Sequence, residues 1–299
     1  MNMKRKRELG NRIEAYFFIL PAFLVFTIVI VLSALLGFAY SFTDWNGLTT
    51  QINFIGLANF QRMFSDKLLV IAVKNTVLIT LFNVVLQNVI ALLMAVFLDK
   101  KLFGRNFFRT LFFIPSLLST VIVGFMWVYI LNPVVGSLPF LFKALGLQSF
   151  GRIDFLGNPQ LAIYTIIGTL IWQYSGYKMV IYLSGLQSIP NELYEASDID
   201  GVNPWQRFFK ITFPLIAPSV TINVFLTLVN TLKLFEHVYI MTNGGPGNAT
   251  ETVATMIYNV AFSAQQMGYG TAVSSVLFLA ILAVAVIQVK YMRNKEISL

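Results

Sequence analysis

The chain has 299 residues, 57% of them apolar and only 11% charged, with a mean hydropathy of +0.73 and a net charge of +8. Soluble globular proteins carry about a quarter charged residues, so this chain lacks the polar surface to coat itself in water, which argues against a soluble enzyme and for an integral membrane protein. Cysteine is absent and His237 is the only histidine, which removes disulfides, thiolate sites and most histidine-based catalysis or metal binding.

Six apolar stretches are long enough to cross a bilayer: 15–42, 75–98, 107–131, 161–183, 214–234 and 269–291. Each holds about 20 or more mostly apolar residues, enough at 1.5 Å per residue to cover a ~30 Å hydrocarbon layer. Backbone amides in lipid must bond within their own segment, which favours helices; the ~10-residue alternating segments of a β-barrel are not seen. The first stretch follows Lys4, Arg5, Lys6 and Arg7. A cleavable signal peptide has a similar basic start but an apolar core of only 7–15 residues. This run is far longer and offers no convincing small-x-small cleavage site, so it reads as a retained anchor behind a basic segment, 1–14.

With the N-terminus inside, fourteen Lys and Arg fall on inner segments and inner span ends, six on outer ones, and Lys178 within a span. That bias favours both termini in the cytoplasm. It also accounts for the basic charge as flanks of an inner leaflet, so no nucleic-acid partner is expected.

Between the fourth and fifth stretches the charge pattern reverses. Residues 188–201 carry Glu192, Glu195, Asp198 and Asp200 with no basic residue. Pro190 suits a helix start, Glu192 the positive end of the helix dipole and Gly201 a C-terminal stop. Asn203, Pro204 and Gln206 then read as an N-cap, first position and capping-box partner, and Pro214 and Pro218 open the fifth stretch. A solvated acidic linker is the plain alternative. Yet the segment is punctuated for rigid shape and keeps Leu193, Tyr194, Ala196, Ile199 and Trp205 among its acids, as a docking element would.

These residues resemble a known signature. Glu195-Ala196-Ser197, Gly201 after three residues, and Ile211-Thr212-Phe213-Pro214 after nine more are similar to the EAA loop of permease subunits of ABC importers: E-A-A, three residues, G, nine residues, I-x-L-P. Ser197 replaces the second alanine and Phe213 the leucine. Phe54-Ile55-Gly56-Leu57-Ala58-Asn59-Phe60, the run from Leu183 to Pro190, Met241-Thr242-Asn243-Gly244-Gly245-Pro246 and Gly268-Tyr269-Gly270-Thr271-Ala272 resemble the maltose-type carbohydrate-uptake branch of that family.

The resemblance implies an all-α integral membrane protein with the type I ABC importer permease fold, six transmembrane helices and both termini cytoplasmic. Residues 15–299 would form the permease domain, with a coupling loop at about 186–213. It implies a multi-pass protein of the cell membrane that pairs with a second permease subunit, a cytoplasmic ATPase dimer and an extracytoplasmic solute-binding protein to import a sugar. It assigns ATPase coupling to Glu192, Tyr194, Glu195, Ala196, Ser197, Asp198, Asp200 and Gly201, with Glu195 meeting a basic residue of the ATPase and Gly201 allowing a sharp corner. No cofactor, metal or catalytic residue is expected on this chain. ATP and Mg would be used by the partner ATPase, because a phosphate-cradling loop needs G-x-x-x-x-G-K-[ST] and none of the 19 glycines precedes a lysine.

Polar side chains at membrane depth are costly and usually face a cavity or another helix. Stretch four carries Gln173, Tyr174, Tyr177 and Lys178. Gln173 and Tyr177 share one face by their spacing, with Tyr174 and Lys178 on the neighbouring stripe. Asn230, Thr231, Lys233 and Glu236 lie near the outer end of stretch five, and Ser119 and Thr120 in stretch three. Sugar contacts of maltose-type relatives fall in stretches four and five, so Thr120, Gln173, Tyr174, Tyr177, Lys178, Asn230, Thr231 and Leu234 are the predicted substrate path. Bonding between packed helices is the alternative, and for Asn83, Gln87 and Asn88 it is the favoured reading. Lys178 has three open roles: a partner for Glu236, a partner for an acid of the second permease, or a solvent-lined gate.

The turn cluster at 242–247 needs glycine's backbone freedom and leads into a helical pattern over 251–262. The region lies, by resemblance, beside the docked binding protein; a plain loop covering the bundle is the other reading. Asn248-Ala249-Thr250 matches a glycosylation triplet, a weak signal at three residues. A glycerol phosphate ester is the alternative solute, disfavoured because only Lys178 and Lys233 could meet a phosphate. HExxH, GxSxG and a mid-membrane carboxylate pair are missing, against an embedded enzyme. Inverted repeats are missing too, against a stand-alone secondary transporter.

Overall fold

The structure is a computed structural model that describes residues 16–100 and 103–293; the basic segment 1–14, Ala15, Lys101 and Lys295 lie outside the described residues. Among the described residues no strand forms beyond one isolated antiparallel bridge, Thr43 to Phe54. The chain divides into two compact units, one of the residues up to Ser65 with Ile257–Val276, the other of Asp66–Met256 with the residues from Leu277.

In the first unit α1 (Tyr16–Tyr40) presents its apolar side chains outward with none buried, the surface that a hydrocarbon layer wets. Past it, α2 (Ala58–Met63) brings in the buried Asn59, whose Nδ2 donates to the carbonyls of Ser41 and Thr43 at 2.9 Å each. The Gly268 amide donates to Trp45 O at 2.7 Å, and a Cβ on Gly268 would run into the Thr43 carbonyl. Arg62 lies over the Tyr269 ring, 4.1 Å from its centroid. Two of the family-like stretches, 54–60 and 268–272, thus close one loop structure together. Asn53 donates through its side chain and its backbone amide to Asp44 and holds that carboxyl below its ordinary value. The ionised form is the one the loop favours, and this support is lost as pH falls through the lowered value.

The second unit holds the bundle. Its α3 (Lys67–Asp99) is 33 residues long and starts eight residues before the predicted stretch, because Asp66 caps it, accepting from the amides of Leu68 and Leu69. Then follow α4 (Arg105–Leu117), α5 (Thr120–Leu131), α6 (Ser137–Ala144) and α7 (Ala162–Gln187). The loop helix α8 (Asn191–Ile199) leads to α9 (Pro204–Leu215), α10 (Ala217–Leu232) and α11 (Glu236–Met241). Finally α12 (Val253–Ser263) and α13 (Met267–Arg293) each fall partly in either unit.

Two predicted stretches are not single helices. The third breaks between α4 and α5 with a bend of 96°, and the fifth between α9 and α10 with a bend of 69°. The first break lies at Leu118 and Ser119, whose ψ values of 141° and 136° are extended, past a helix that runs through Pro115; at the second, Pro218 cannot donate to Pro214 O and its ring crowds the preceding turn. By length and composition α1, α3 and α13 suffice to cross a bilayer, and five segments do so if each bent pair is one span. The 26-residue α7 has the length, but its middle is polar.

That helix is the axis of the unit. Met179, Tyr182, Leu183 and Leu186 pack on Ala91, Ala95 and Leu98 of α3, and Ile163, Ile166, Ile167 and Leu170 pack with Ile79, Leu234, Val238 and Met241. Gly176 lets α4 approach closely, since a Cβ there would meet the Phe112 carbonyl, whereas a Cβ on Gly168 of the same helix meets nothing within 4 Å. Gly176→Ala is expected to destabilise the purified protein by about 1–3 kcal/mol through overpacking. Gly168→Ala is expected to be stabilising by up to about 1 kcal/mol from helix propensity. Thermal unfolding in detergent distinguishes the two, and equal shifts would show that α4 does not pack against Gly176.

Candidate functional site

A cavity of about 640 Å³ opens in the second unit between α3, α7, α10 and the corner that leads into α11. From α7 it takes Leu170, Tyr174, Tyr177 and Lys178, spaced 0, 4, 7 and 8 and so on one helical stripe. From α10 and the corner it takes Thr227, Asn230, Thr231, Leu234, Glu236 and His237. A five-residue π-turn in α3, Asn83–Gln87, sets both of its end residues on the wall, and such turns re-aim side chains within a helix.

Of the predicted path, Tyr174, Tyr177, Lys178, Asn230, Thr231 and Leu234 line this space, and Gln173 and Thr120 do not. Gln173 is fully buried behind the wall, where its Nε2 donates to Leu118 O at 3.2 Å and its Oε1 lies 2.7 Å from His237 Nε2. The predicted pairing of Gln173 and Tyr177 on one face is therefore corrected: the stripe facing the cavity is centred on Tyr174 and Lys178. Thr120 stands one step back, its hydroxyl 3.3 Å from that of Tyr174.

Lys178 is 3% exposed and forms no ion pair among the described residues, so of its three open roles the bond to Glu236 is not made. Asn88 behaves as the helix-packing reading expected: its Nδ2 donates to Thr227 Oγ1 at 3.1 Å and its Oδ1 accepts from Tyr182 OH at 2.9 Å. Gln87 also bonds across helices, to Leu170 O at 2.9 Å, and Asn83 bonds to Ile79 O of its own helix, yet both border the cavity as well. Asn83 Oδ1 is buried without a partner. The sequence reading passed over Ser116, Thr227, Phe235 and His237, which also line it; a lone histidine at the foot of an apolar stretch was the one available signal. Together the wall offers hydroxyls, amides, two tyrosine rings, the ammonium groups of Lys178 and Lys233, the Glu236 carboxylate and the His237 ring, and its neutral polar groups and rings suit a solute rich in hydroxyls. No group of three or more His, Asp or Glu that could hold a metal ion occurs among the described residues.

The acidic loop has its own geometry. Pro190 precedes α8 as its cap residue and Gly201 ends it at φ +65°. The Val202 amide donates to Ser197 O at 3.0 Å and the Gly201 amide to Asp198 O at 3.2 Å, the paired bonds of a Schellman stop. Asn203 Oδ1 then accepts from the Gln206 amide at 2.9 Å to start α9. Arg207 Nη1 donates to Asp198 Oδ1 at 2.6 Å, and the Tyr194 and Thr212 hydroxyls are 3.3 Å apart. Of the predicted coupling residues, Tyr194 and Ser197 turn inward as braces, whereas Glu192, Glu195, Ala196, Asp198, Asp200 and Gly201 are exposed. Beside them stand Ile199, 87% exposed, and Trp205, 75% exposed. The result is a stiff corner with an acidic and apolar face.

The turn cluster at 242–247 is held to the bundle. Asn75 Nδ2 donates to Glu251 O at 2.9 Å, Thr250 Oγ1 to Gly245 O at 2.7 Å, and the Val253 amide to Thr76 Oγ1 at 3.0 Å.

Residues 87–295 match the family described as "Binding-protein-dependent transport system inner membrane component". The probable starch degradation products transport system permease protein AmyD of Thermoanaerobacterium thermosulfurigenes is 37% identical over 296 residues, covering 99% of each chain. The multiple sugar-binding transport system permease protein MsmF of Streptococcus mutans is 32% identical over 294 residues, 97% of this chain and 99% of that one. A crystal structure of a bacterial ABC transporter that imports the acidic polysaccharide alginate shares the fold, with a TM-score of 0.84 at 22% identity over 97% of this chain and 99% of that chain.

Because the chain has no cysteine, single-cysteine variants report accessibility without background. A water-soluble maleimide applied to membranes is expected to modify Tyr177→Cys and Asn230→Cys about tenfold faster than Gln173→Cys, since thiol reactivity follows exposure. Equal rates would mean that the cavity is closed to water.

Proposed function

We propose a transport role that proceeds from one premise: the chain belongs to the family of binding-protein-dependent transport system inner membrane components. It is a membrane component of an ABC transport system. In our reading it forms half of the translocation path of an ATP-driven importer of sugars or oligosaccharides, and a second permease subunit completes the cavity. The observation that carries the reading is the cavity wall itself, where hydroxyl, amide and tyrosine side chains make up eight of the sixteen lining residues, set among apolar ones. Names of relatives support the solute class: a starch-product and a multiple-sugar system.

Energy would arrive from outside the chain. A cytoplasmic ATPase dimer, holding ATP and Mg, would receive α8 in a cleft, with Glu195 and its exposed acidic and apolar neighbours as the contact face. Closure of that dimer would pass through the Gly201 corner into α9 and α7 and turn the cavity outward, toward a solute-loaded binding protein; hydrolysis would return it. Both termini would lie in the cytoplasm. The Schellman stop and the Arg207–Asp198 bond support this, because a force transmitted through a loop needs a loop that does not yield.

A phosphate ester is the second reading, favoured by the buried Lys178, which has no ion pair among the described residues. Proteoliposomes carrying the assembled importer decide between them: ATP-dependent uptake of maltotriose is expected, and uptake of glycerol 3-phosphate alone would replace the sugar. For coupling, Glu195→Lys and Gly201→Asp are expected to insert normally and to lower solute-stimulated ATP hydrolysis about tenfold. Wild-type stimulation in both would remove α8 from the transmission path.

A further inference from the structure

His237 is the second residue of α11, is 2% exposed and borders the cavity. Its orientation follows from a chain of bonds that begins at the break between α4 and α5. Leu118 ends α4, and its carbonyl accepts from Gln173 Nε2 at 3.2 Å. A carbonyl only accepts, so Gln173 must turn its amide nitrogen to Leu118 and its oxygen to the imidazole, 2.7 Å from Nε2. That amide oxygen also only accepts, so the neutral ring carries its proton on Nε2.

Nδ1 is then a bare lone pair. It has no hydrogen-bond partner among the described residues, and the ring's other contact is edge-on to Tyr174, 5.9 Å between centroids at 70°. Nor is the ring sealed off: the space beside His237 is the cavity. Lys178, on the same wall, offers donors only. A hydroxyl satisfies both kinds of group, donating to one and accepting from the other, whereas a fully ionised phosphate has nothing to donate to a lone pair.

We propose that His237 is a specificity-determining residue of this cavity, accepting a solute hydroxyl on Nδ1, and that Gln173 is the positioning residue that fixes its tautomer. The inference rests on the cavity being the solute path. It selects polyhydroxyl solutes by hydrogen-bond sense rather than by charge.

One histidine in the chain makes the tautomer directly readable. The full chain, labelled with ¹⁵N-histidine, purified on a histidine-free tag and placed in lipid nanodiscs, is expected to show one protonated ring nitrogen, Nε2, and one bare nitrogen, Nδ1. A proton on Nδ1, or on both nitrogens, overturns the proposal. Gln173→Leu is expected to give a mixture of tautomers; a single unchanged tautomer would remove Gln173 from its role. In proteoliposomes with the assembled importer, His237→Gln keeps a group at the ε position and loses the δ acceptor, and is expected to slow maltotriose uptake about fivefold. His237→Asn, which offers an amide oxygen near the δ position, should stay closer to wild type. Wild-type uptake by His237→Gln overturns the acceptor role. A wild-type importer that carries no maltotriose instead overturns the saccharide reading and this solute assignment, while the spectrum still decides the tautomer.

Discussion

A polar group surrounded by apolar chains must find its partner inside the protein, and the bundle is arranged to supply those partners. α7 carries the polar middle, so it stands at the centre, where neighbours rather than lipid cover it. Ser175 and Thr169 bond back to carbonyls one turn earlier. Gln87 reaches the Leu170 carbonyl from α3, and Asn223 reaches that of Lys178 from α10. Tyr182, Asn88 and Thr227 tie three helices through their side chains. Each such bond contributes only about 0.6–2 kcal/mol in a membrane, so their main effect is on register: they decide which face of α7 meets which neighbour. What remains beyond these bonds, with Gln87 and Thr227 at its edge, is the wall of the cavity.

The irregular points of the backbone serve the same end. A straight helix through Pro115 would leave the Leu118 carbonyl inside a ladder; the break frees it to accept from Gln173. The π-turn in α3 shifts the phase of the helix by part of a turn, which lets Asn83 and Gln87 share the cavity without moving the apolar residues below them. Non-helical backbone at membrane depth is tolerated where it is buried in protein or lines a cavity, and both breaks of this chain meet that condition through side chains that bond to them or pack over them.

The loop between α7 and α9 is rigid for a different reason. It lies outside the bundle, so water could satisfy its backbone, yet nearly every terminal group is used internally: the end of α8 by Gly201 and Val202, the start of α9 by Asn203, and the space between by Arg207, Asp198, Tyr194 and Thr212. Exposed Ile199 and Trp205 gain nothing from water. A stiff element with an unpaid apolar face has the properties of a docking surface, and these come from capping chemistry rather than from burial.

Much of this was legible in the residues. Hydropathy alone marked the membrane class, and the caps around Gly201 and Asn203 were readable because capping is local: a side chain two or three positions away decides it. The EAA pattern was visible for the same reason, and so were Tyr174, Tyr177 and Lys178 as polar groups at depth, though not the stripe they share. Three features were not. The bends after Leu117 and before Pro218 depend on whether neighbours hold a broken helix, the register of Gln173 on the phase of α7 against the end of α4 and α11, and the roles of Asn83 and His237 on a π-turn and a corner that no spacing announces. Sequence determined which segments are apolar, where local caps stop and start the helices of the acidic loop, and which polar groups sit at depth. Only the tertiary structure decided which of those groups bond to one another and which are left facing open space, because that is a competition among partners far apart in the chain.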